Sequence, residues 1–248
     1  MKIKIDHITK KYEKSIIFRD LCYEFNIENS VTALLGPNGA GKTTFMKLIS
    51  GILCQHSGSI QVIDSDSEIS DSYVEWAHKN IAYLSPDERY LSFKNNGIDN
   101  ILYFGIIKGV DKKTILQNLE IFMQHIECKS YINKRIEQLS TGQKKVIKLL
   151  SIFCTGLPIL LLDEPTVGLD IDTREILIEM ISLLSNCSNN KVIISTHDLD
   201  FAASISSNQI YIYNGEIKLE HSGKNSVDEL KEQYELMKKS DEKGKSKC

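Results

Sequence analysis

Nine consecutive residues, Gly36-Pro37-Asn38-Gly39-Ala40-Gly41-Lys42-Thr43-Thr44, have the types and spacing needed to grip a row of phosphates. They satisfy G-x-x-x-x-G-K-[ST]. The glycines let backbone N–H groups turn inward and approach an anion that a Cβ would keep away. Lys42 supplies a point positive charge for the β- and γ-phosphates, and the Thr43 hydroxyl is a hard oxygen ligand for Mg²⁺. The chemistry implied is binding of a nucleoside triphosphate with its metal ion.

A second group of residues suits the cleavage of such a molecule. Asp163-Glu164-Pro165 follows the apolar run Ile159–Leu162, so two carboxylates sit at the C-terminal end of a buried strand, where ligands collect in open α/β sheets. Asp163 can hold Mg²⁺ through water, and Glu164 can polarise the water that attacks a γ-phosphate. A strand that ends in charged residues is common; a phosphate loop about 120 residues earlier gives this one its weight. Leu139-Ser140-Thr141-Gly142-Gln143 precedes the apolar stretch Val146–Phe153. A Ser-x-Gly at a helix start makes a second anion site, although Ser and Gly there are also ordinary caps.

Strands and helices must place these groups. Val31–Leu35 reads as a buried strand leading into the loop, and Thr44–Ile49 as the first turns of a helix whose N-terminus faces the phosphates. Lys2–Thr9 and Ser15–Asn26 predict β-structure with a turn near Lys14, and Gly58–Val62 and Ile81–Leu84 predict further strands. Asp64–Asp71 reads as a solvated acidic loop. Residues from about 97 to 150 carry helical periodicity, for example at Ile115, Leu119, Phe122 and Ile126. After the central strand come a helix from Thr173 to about Leu184, a strand Lys191–Thr196, and Tyr211–Tyr213 near the sheet edge. From His221 a short helix opens with a capping box, Ser226-x-x-Glu229, and frays into Lys- and Ser-rich sequence. Strands alternating with helices imply an α/β core with a parallel sheet.

Bulk properties narrow the class. With 248 residues, 42% hydrophobic and 25% charged, the chain buries a full core as one large domain, or a domain with a subdomain. A net charge of −3 argues against nucleic acid as the partner. The sequence has no apolar run of about 18 residues to span a bilayer, and its N-terminus lacks the apolar core of a signal peptide. The six cysteines form no C-x-x-C pair and have no histidine at zinc spacing, so they read as reduced thiols of a cytosolic protein.

Gly36–Thr44, Leu139–Gln143, Leu160–Pro165, Val167-Gly168-Leu169-Asp170 and Ser195-Thr196-His197-Asp198 occur in the order and spacing of the ATP-binding cassette. Over roughly residues 1–220 the chain resembles the nucleotide-binding subunit of an ABC transporter. The resemblance implies a P-loop NTPase of the cassette type. Its parallel-sheet core would carry an N-terminal antiparallel β subdomain and an inserted α-helical subdomain at about 86–150, and residues 221–248 would form a short C-terminal helix and charged tail. It implies ATP and Mg²⁺ as ligands. Tyr12 matches the aromatic that stacks on adenine; Gly36, Pro37, Asn38, Gly39, Ala40, Gly41, Lys42, Thr43 and Thr44 match the phosphate loop. Ser140, Thr141 and Gly142 match the signature that contacts the γ-phosphate held by an opposing subunit. Asp163 and Glu164 match the Mg²⁺ and water-activating carboxylates, Asp170 the loop that communicates across the dimer, and His197 the histidine that senses the γ-phosphate.

The chain departs from the family pattern in places. The usual glutamine after strand Ile81–Leu84 is Asp87, a residue that can reach Mg²⁺ as an oxygen ligand or simply be solvated in a turn. Thr141 replaces a glycine, and Val146 stands where an arginine is frequent. Tyr83–Glu88 and Asn100–Phe104 look like cassettes that pair with small six-helix permeases. The resemblance therefore implies the ATPase of a membrane exporter, peripheral on the inner face of the cell membrane. It would work with a separate transmembrane permease and as a homodimer or a heterodimer with another cassette. A soluble cassette ATPase outside transport, such as an iron–sulfur assembly protein, is the alternative. Lys42, Glu164 and His197 together argue against a protein that binds ATP without hydrolysing it.

Overall fold

The computed structural model of the chain describes residues 1–13, 15–27, 30–64, 67–68, 72–86, 91–187 and 190–245. The first half forms β1 (Lys2–Tyr12), β2 (Ser15–Asn26), β3 (Ser30–Leu35), α1 (Lys42–Ile49), β4 (Ser57–Asp64), β5 (Ser67–Glu68), α2 (Tyr73–Asn80), β6 (Ile81–Leu84), α3 (Gly97–Ile107) and α4 (Lys112–His125). The second half forms α5 (Thr141–Phe153), β7 (Ile159–Asp163), α6 (Ile171–Cys187), β8 (Lys191–Thr196), α7 (Leu199–Ile205), β9 (Asn208–Tyr213), β10 (Glu216–Ser222) and α8 (Val227–Lys245).

Two sheets result. The larger has the order β10-β9-β3-β8-β7-β6, all parallel except the antiparallel edge strand β10. The smaller, β2-β1-β4-β5, is antiparallel throughout. Every residue of β7 and β8 is buried, as strands covered on both faces must be. Their side chains alternate between two cores. Leu160, Leu162, Val192 and Ile194 pack with Leu150, Phe153, Leu177 and Ile181 of α5 and α6. Ile159, Leu161 and Ile193 pack with Phe45, Met46 and Ile49 of α1 and with Ile3, Ile5 and Phe18 of the smaller sheet. Each such Leu or Ile contributes about 1.5–3 kcal/mol on leaving water. Helices α5 and α6 lie on one face, and α1 backed by the second sheet on the other.

The helical region around 97–150 is a set of capped helices. Asn96 accepts from the Asp99 N–H at 2.8 Å, and Asp111 from the Thr114 N–H at 3.0 Å. Ile115, Leu119 and Phe122 form the buried stripe of α4. Between α4 and α5 the helical pattern breaks into turns, with a short 3₁₀ turn at Ile136–Gln138.

Some elements differ from the sequence expectation. Within the expected loop Asp64–Asp71, Ser67–Glu68 pairs with β4 as β5, while residues 65–66 and 69–71 lie outside the described residues, as does the turn residue Lys14. Helix α2 buries only Trp76 and Ala77, too little to leave a readable stripe. His221 belongs to β10 rather than opening a helix, because alternate side chains of β10 are half-buried along β9. The capping box does form: the Ser226 N–H donates to Glu229 Oε2 at 2.7 Å, and the Glu229 N–H to Ser226 Oγ at 3.3 Å. Helix α8 then runs on to Lys245. It seats Leu230 against Ala33, Leu35, Ala202 and Tyr211, and Gln233 accepts from the Tyr211 hydroxyl at 2.9 Å. No helix among the described residues is long and apolar enough to cross a membrane.

Candidate active site

Strand register assembles the site. Leu34 pairs with Ser195 and Leu35 with Thr196 across β3 and β8, and Asp163 pairs with Ser195 across β7 and β8. The C-terminal ends of three adjacent strands therefore emerge level, and each continues into a sequence-predicted motif. The loop after β3 turns at Gly41, whose φ of 107° favours glycine, and whose Cβ would lie 2.9 Å from a Phe18 ring carbon. A Cβ on Gly36 would meet the Ile212 carbonyl oxygen at 2.2 Å, so the loop packs directly on β9. Pro37, Asn38, Gly39, Gly41, Lys42, Thr43 and Thr44 line a cavity of about 260 Å³, together with Ile17 and Glu164. Ala40 is buried beneath it.

Around that cavity the side chains interlock. Lys42 Nζ, buried, donates to the carbonyls of Gly36 at 2.8 Å and Pro37 at 3.3 Å and lies 3.3 Å from Glu164 Oε1. Glu164 Oε2 is 3.0 Å from His197 Nδ1. Asp163, 1% exposed, accepts from three hydroxyls: Ser195 at 2.6 Å, Tyr83 at 2.9 Å and Thr43 at 3.1 Å. Together these bonds fix the carboxylate in one orientation. Thr43 Oγ1 and Asp163 Oδ1 are both hard oxygen donors facing one another, and this donor set fits Mg²⁺. Glu164 has φ 48°, sparsely populated for a residue with a side chain, and its N–H donates to Ser195 Oγ at 2.9 Å.

Ser140, Thr141, Gly142 and Asp170 gather in a second cluster. Ser140 caps α5 in a full capping box with Gln143. Asp170 accepts from the Thr173 N–H at 2.8 Å, and bonding to Thr173 holds its carboxyl below the usual carboxylate range. A Cβ on Gly142 would touch Thr173 Oγ1 at 2.9 Å and Asp170 Oδ2 at 3.4 Å, so the start of α5 abuts the start of α6. Lys145 Nζ donates to the carbonyls of Val167 and Gly168, tying the two segments together. A groove of about 390 Å³ has Asp163, Glu164, Thr141, Lys144, Lys145 and Lys148 in its walls. Tyr12 is exposed at the end of β1 with the Lys10 ammonium 5.4 Å from its ring centroid, and is not among the residues lining the phosphate-loop cavity. Asp87 lies outside the described residues.

A model of the ABC transporter family matches residues 23–167. The chain belongs to that family. The cassette is 31% identical over 215 residues to an uncharacterized ABC transporter ATP-binding protein, YhaQ of Bacillus subtilis, covering 86% of this chain and 68% of that one. It is 28% identical over 220 residues to the tungstate uptake system ATP-binding protein TupC of Peptoclostridium acidaminophilum, covering 88% and 97%. In fold it resembles the ATP-binding cassette MJ0796, solved as a post-hydrolysis dimer bound to ADP and Pi. The TM-score is 0.73 and the identity 21%, over 89% of this chain and 98% of that one. The two share the cassette fold, an α/β P-loop ATPase with an antiparallel β subdomain.

Two residues around the ABC site carry no role in the sequence reading: Tyr83 and Ser195, which hold Asp163 from neighbouring strands. Both sit within apolar strand patterns. Only a polar hydroxyl late in an otherwise apolar run signalled them.

Proposed function

We propose that this cassette is the ATP-hydrolysing subunit of a membrane transporter, docked on the inner face of the membrane through a separate permease. The observation carrying this reading is the Lys42–Glu164–His197 chain beside the Thr43–Asp163 pair at the level ends of β3, β7 and β8. Thr43 and Asp163 would hold Mg²⁺, which supplies charge neutralisation between phosphates. Lys42 turns from Glu164 toward a γ-phosphate, a stronger anion, and that exchange releases Glu164 to accept a proton from water. His197 holds Glu164 in place through Nδ1 and faces the developing phosphate charge. Tyr12 stacks on adenine from the end of β1.

Ser140, Thr141 and Gly142 offer their donors to a phosphate held by another subunit, and Asp170 lies at that junction. ATP therefore draws two cassettes head to tail, and ADP releases them. Light scattering of the Glu164→Gln chain should show a dimer at saturating ATP and a monomer with ADP, alongside a second cassette if the native pair is mixed. A monomer with ATP verified as bound overturns the split-site assignment.

The preference for export rests on the sequence resemblance of Tyr83–Glu88 and Asn100–Phe104 to cassettes that pair with six-helix permeases. Several relatives have names that state uptake or import, of tungstate, spermidine/putrescine and zinc. Direction is set by the permease, and uptake by the reconstituted complex decides it. Asp87 is assigned a metal-linked coupling role between nucleotide and permease. Asp87→Ala should keep ATP binding and lose stimulation of the ATPase by the reconstituted permease; full stimulation returns Asp87 to a solvated turn.

A further inference from the structure

The β1–β2 hairpin carries a cluster of metal-ligating side chains that the ATPase chemistry does not use. The ladder pairs Ile5 with Tyr23 and then Ile8 with Leu21, so two residues of β1, Asp6 and His7, oppose the single residue Cys22. This is a β-bulge. In regular pleating, Asp6 and His7 would point to opposite faces. With His7 at φ 51° the alternation fails, and one ligand atom from each of Asp6, His7 and Cys22 lies within 4.8 Å of the others.

Asp20 completes the arrangement from β2. Its Oδ1 is 2.6 Å from His7 Nδ1, and Asp20 too is left-handed, with φ 57°. With Nδ1 engaged, Nε2 is the nitrogen left to offer a lone pair, the carboxylate–histidine pattern found behind metal-ligating imidazoles. The His7 N–H also donates to Cys22 Sγ at 3.3 Å, which holds the sulfur beside the bulge. His7 and Cys22 are exposed, so an ion reaches them directly. Bonds of about 2.0–2.3 Å place the ligand atoms of a tetrahedral zinc ion roughly 3.3–3.8 Å apart. Small rotations of the exposed His7 and Cys22 side chains toward half-buried Asp6 close the remaining ångström.

We propose that Asp6, His7 and Cys22 form a surface site for a divalent cation of the zinc class, with Asp20 orienting His7 and a fourth position open to water. A thiolate with an imidazole selects borderline-soft ions over Mg²⁺ or Ca²⁺. Binding displaces the Cys22 thiol proton to solvent, and the bound ion ties β1 to β2 across the bulge.

The test is a Co²⁺ titration of reduced, nucleotide-free protein, read by the near-ultraviolet thiolate-to-cobalt band, with Zn²⁺ added afterwards to displace the cobalt. The oxygen donors Thr43 and Asp163 cannot produce that band. One equivalent of Co²⁺ should generate it, and Cys22→Ser should abolish it while Cys54→Ser keeps it. Asp20→Asn should weaken binding about 10–100-fold, the usual cost of losing a carboxylate behind a ligating histidine. No thiolate band, or one that survives Cys22→Ser, overturns the site. A second readout uses the native chain alone. Zn²⁺ should protect Cys22 from alkylation while Cys54, also exposed, stays reactive; equal alkylation of Cys22 with and without Zn²⁺ overturns the proposal.

Discussion

Glu164→Gln should bind ATP as the native chain does and hydrolyse it about 10²–10⁴-fold more slowly, the scale of a lost positioned general base. The substitution keeps the shape of the side chain and one oxygen acceptor for Lys42 Nζ, now 3.3 Å away, while removing the basic carboxylate. The contact at 3.0 Å with His197 Nδ1 survives as a weaker, neutral bond. Geometry is therefore largely preserved and proton acceptance is not. Single-turnover hydrolysis with ATP binding measured on the same sample separates the two. A native single-turnover rate in Glu164→Gln would remove the carboxylate from the chemistry and leave it as the counter-ion of Lys42.

Lys42→Ala should weaken ATP binding on the order of 10–100-fold, because hydrogen bonds to a charged group are worth about 1.5–3 kcal/mol and every 1.4 kcal/mol is tenfold in affinity. Lys42 is 6% exposed, so its ammonium acts in a site largely shielded from water. Its loss also removes the Lys42 donor from the Gly36 and Pro37 carbonyls, of which Pro37 keeps the bond from the Ala40 N–H. Calorimetric titration with ATP and Mg²⁺ gives the affinity, and circular dichroism confirms the fold. An unchanged affinity in the folded variant means that the backbone N–H groups hold the phosphates alone. The two substitutions should also differ in assembly: Glu164→Gln traps the ATP-bound dimer, and Lys42→Ala does not reach it.

Sequence reasoning was strongest where an element and its chemistry lie within a few residues of one another. Gly36–Thr44 is readable because a strand, a glycine turn and a helix start follow without interruption, and seven of those nine residues line the cavity. The capping boxes at Ser140 and Ser226 were legible for the same reason, since each donor and acceptor are three residues apart. The apolar runs of β3, β7 and β8 announced a parallel sheet because strands buried on both faces leave no polar alternation. Where burial is sparse, as in α2, no pattern is strong enough to read.

The sequence by itself determined the inventory: a phosphate loop, two carboxylates after a central strand, a capped Ser-Thr-Gly, and a histidine after another strand. Tertiary structure decided which atoms meet. Thr43 reaches Asp163 across 120 residues because β3 and β7 both flank β8 and end level with it. The same register brings Ser195 and Tyr83 onto Asp163 and sets Glu164 between Lys42 and His197. A ladder shift of one residue, invisible in linear spacing, brings Asp6 and His7 close to Cys22. Register is a long-range property, settled by how two whole strands bury their apolar faces, and no local window of sequence contains it.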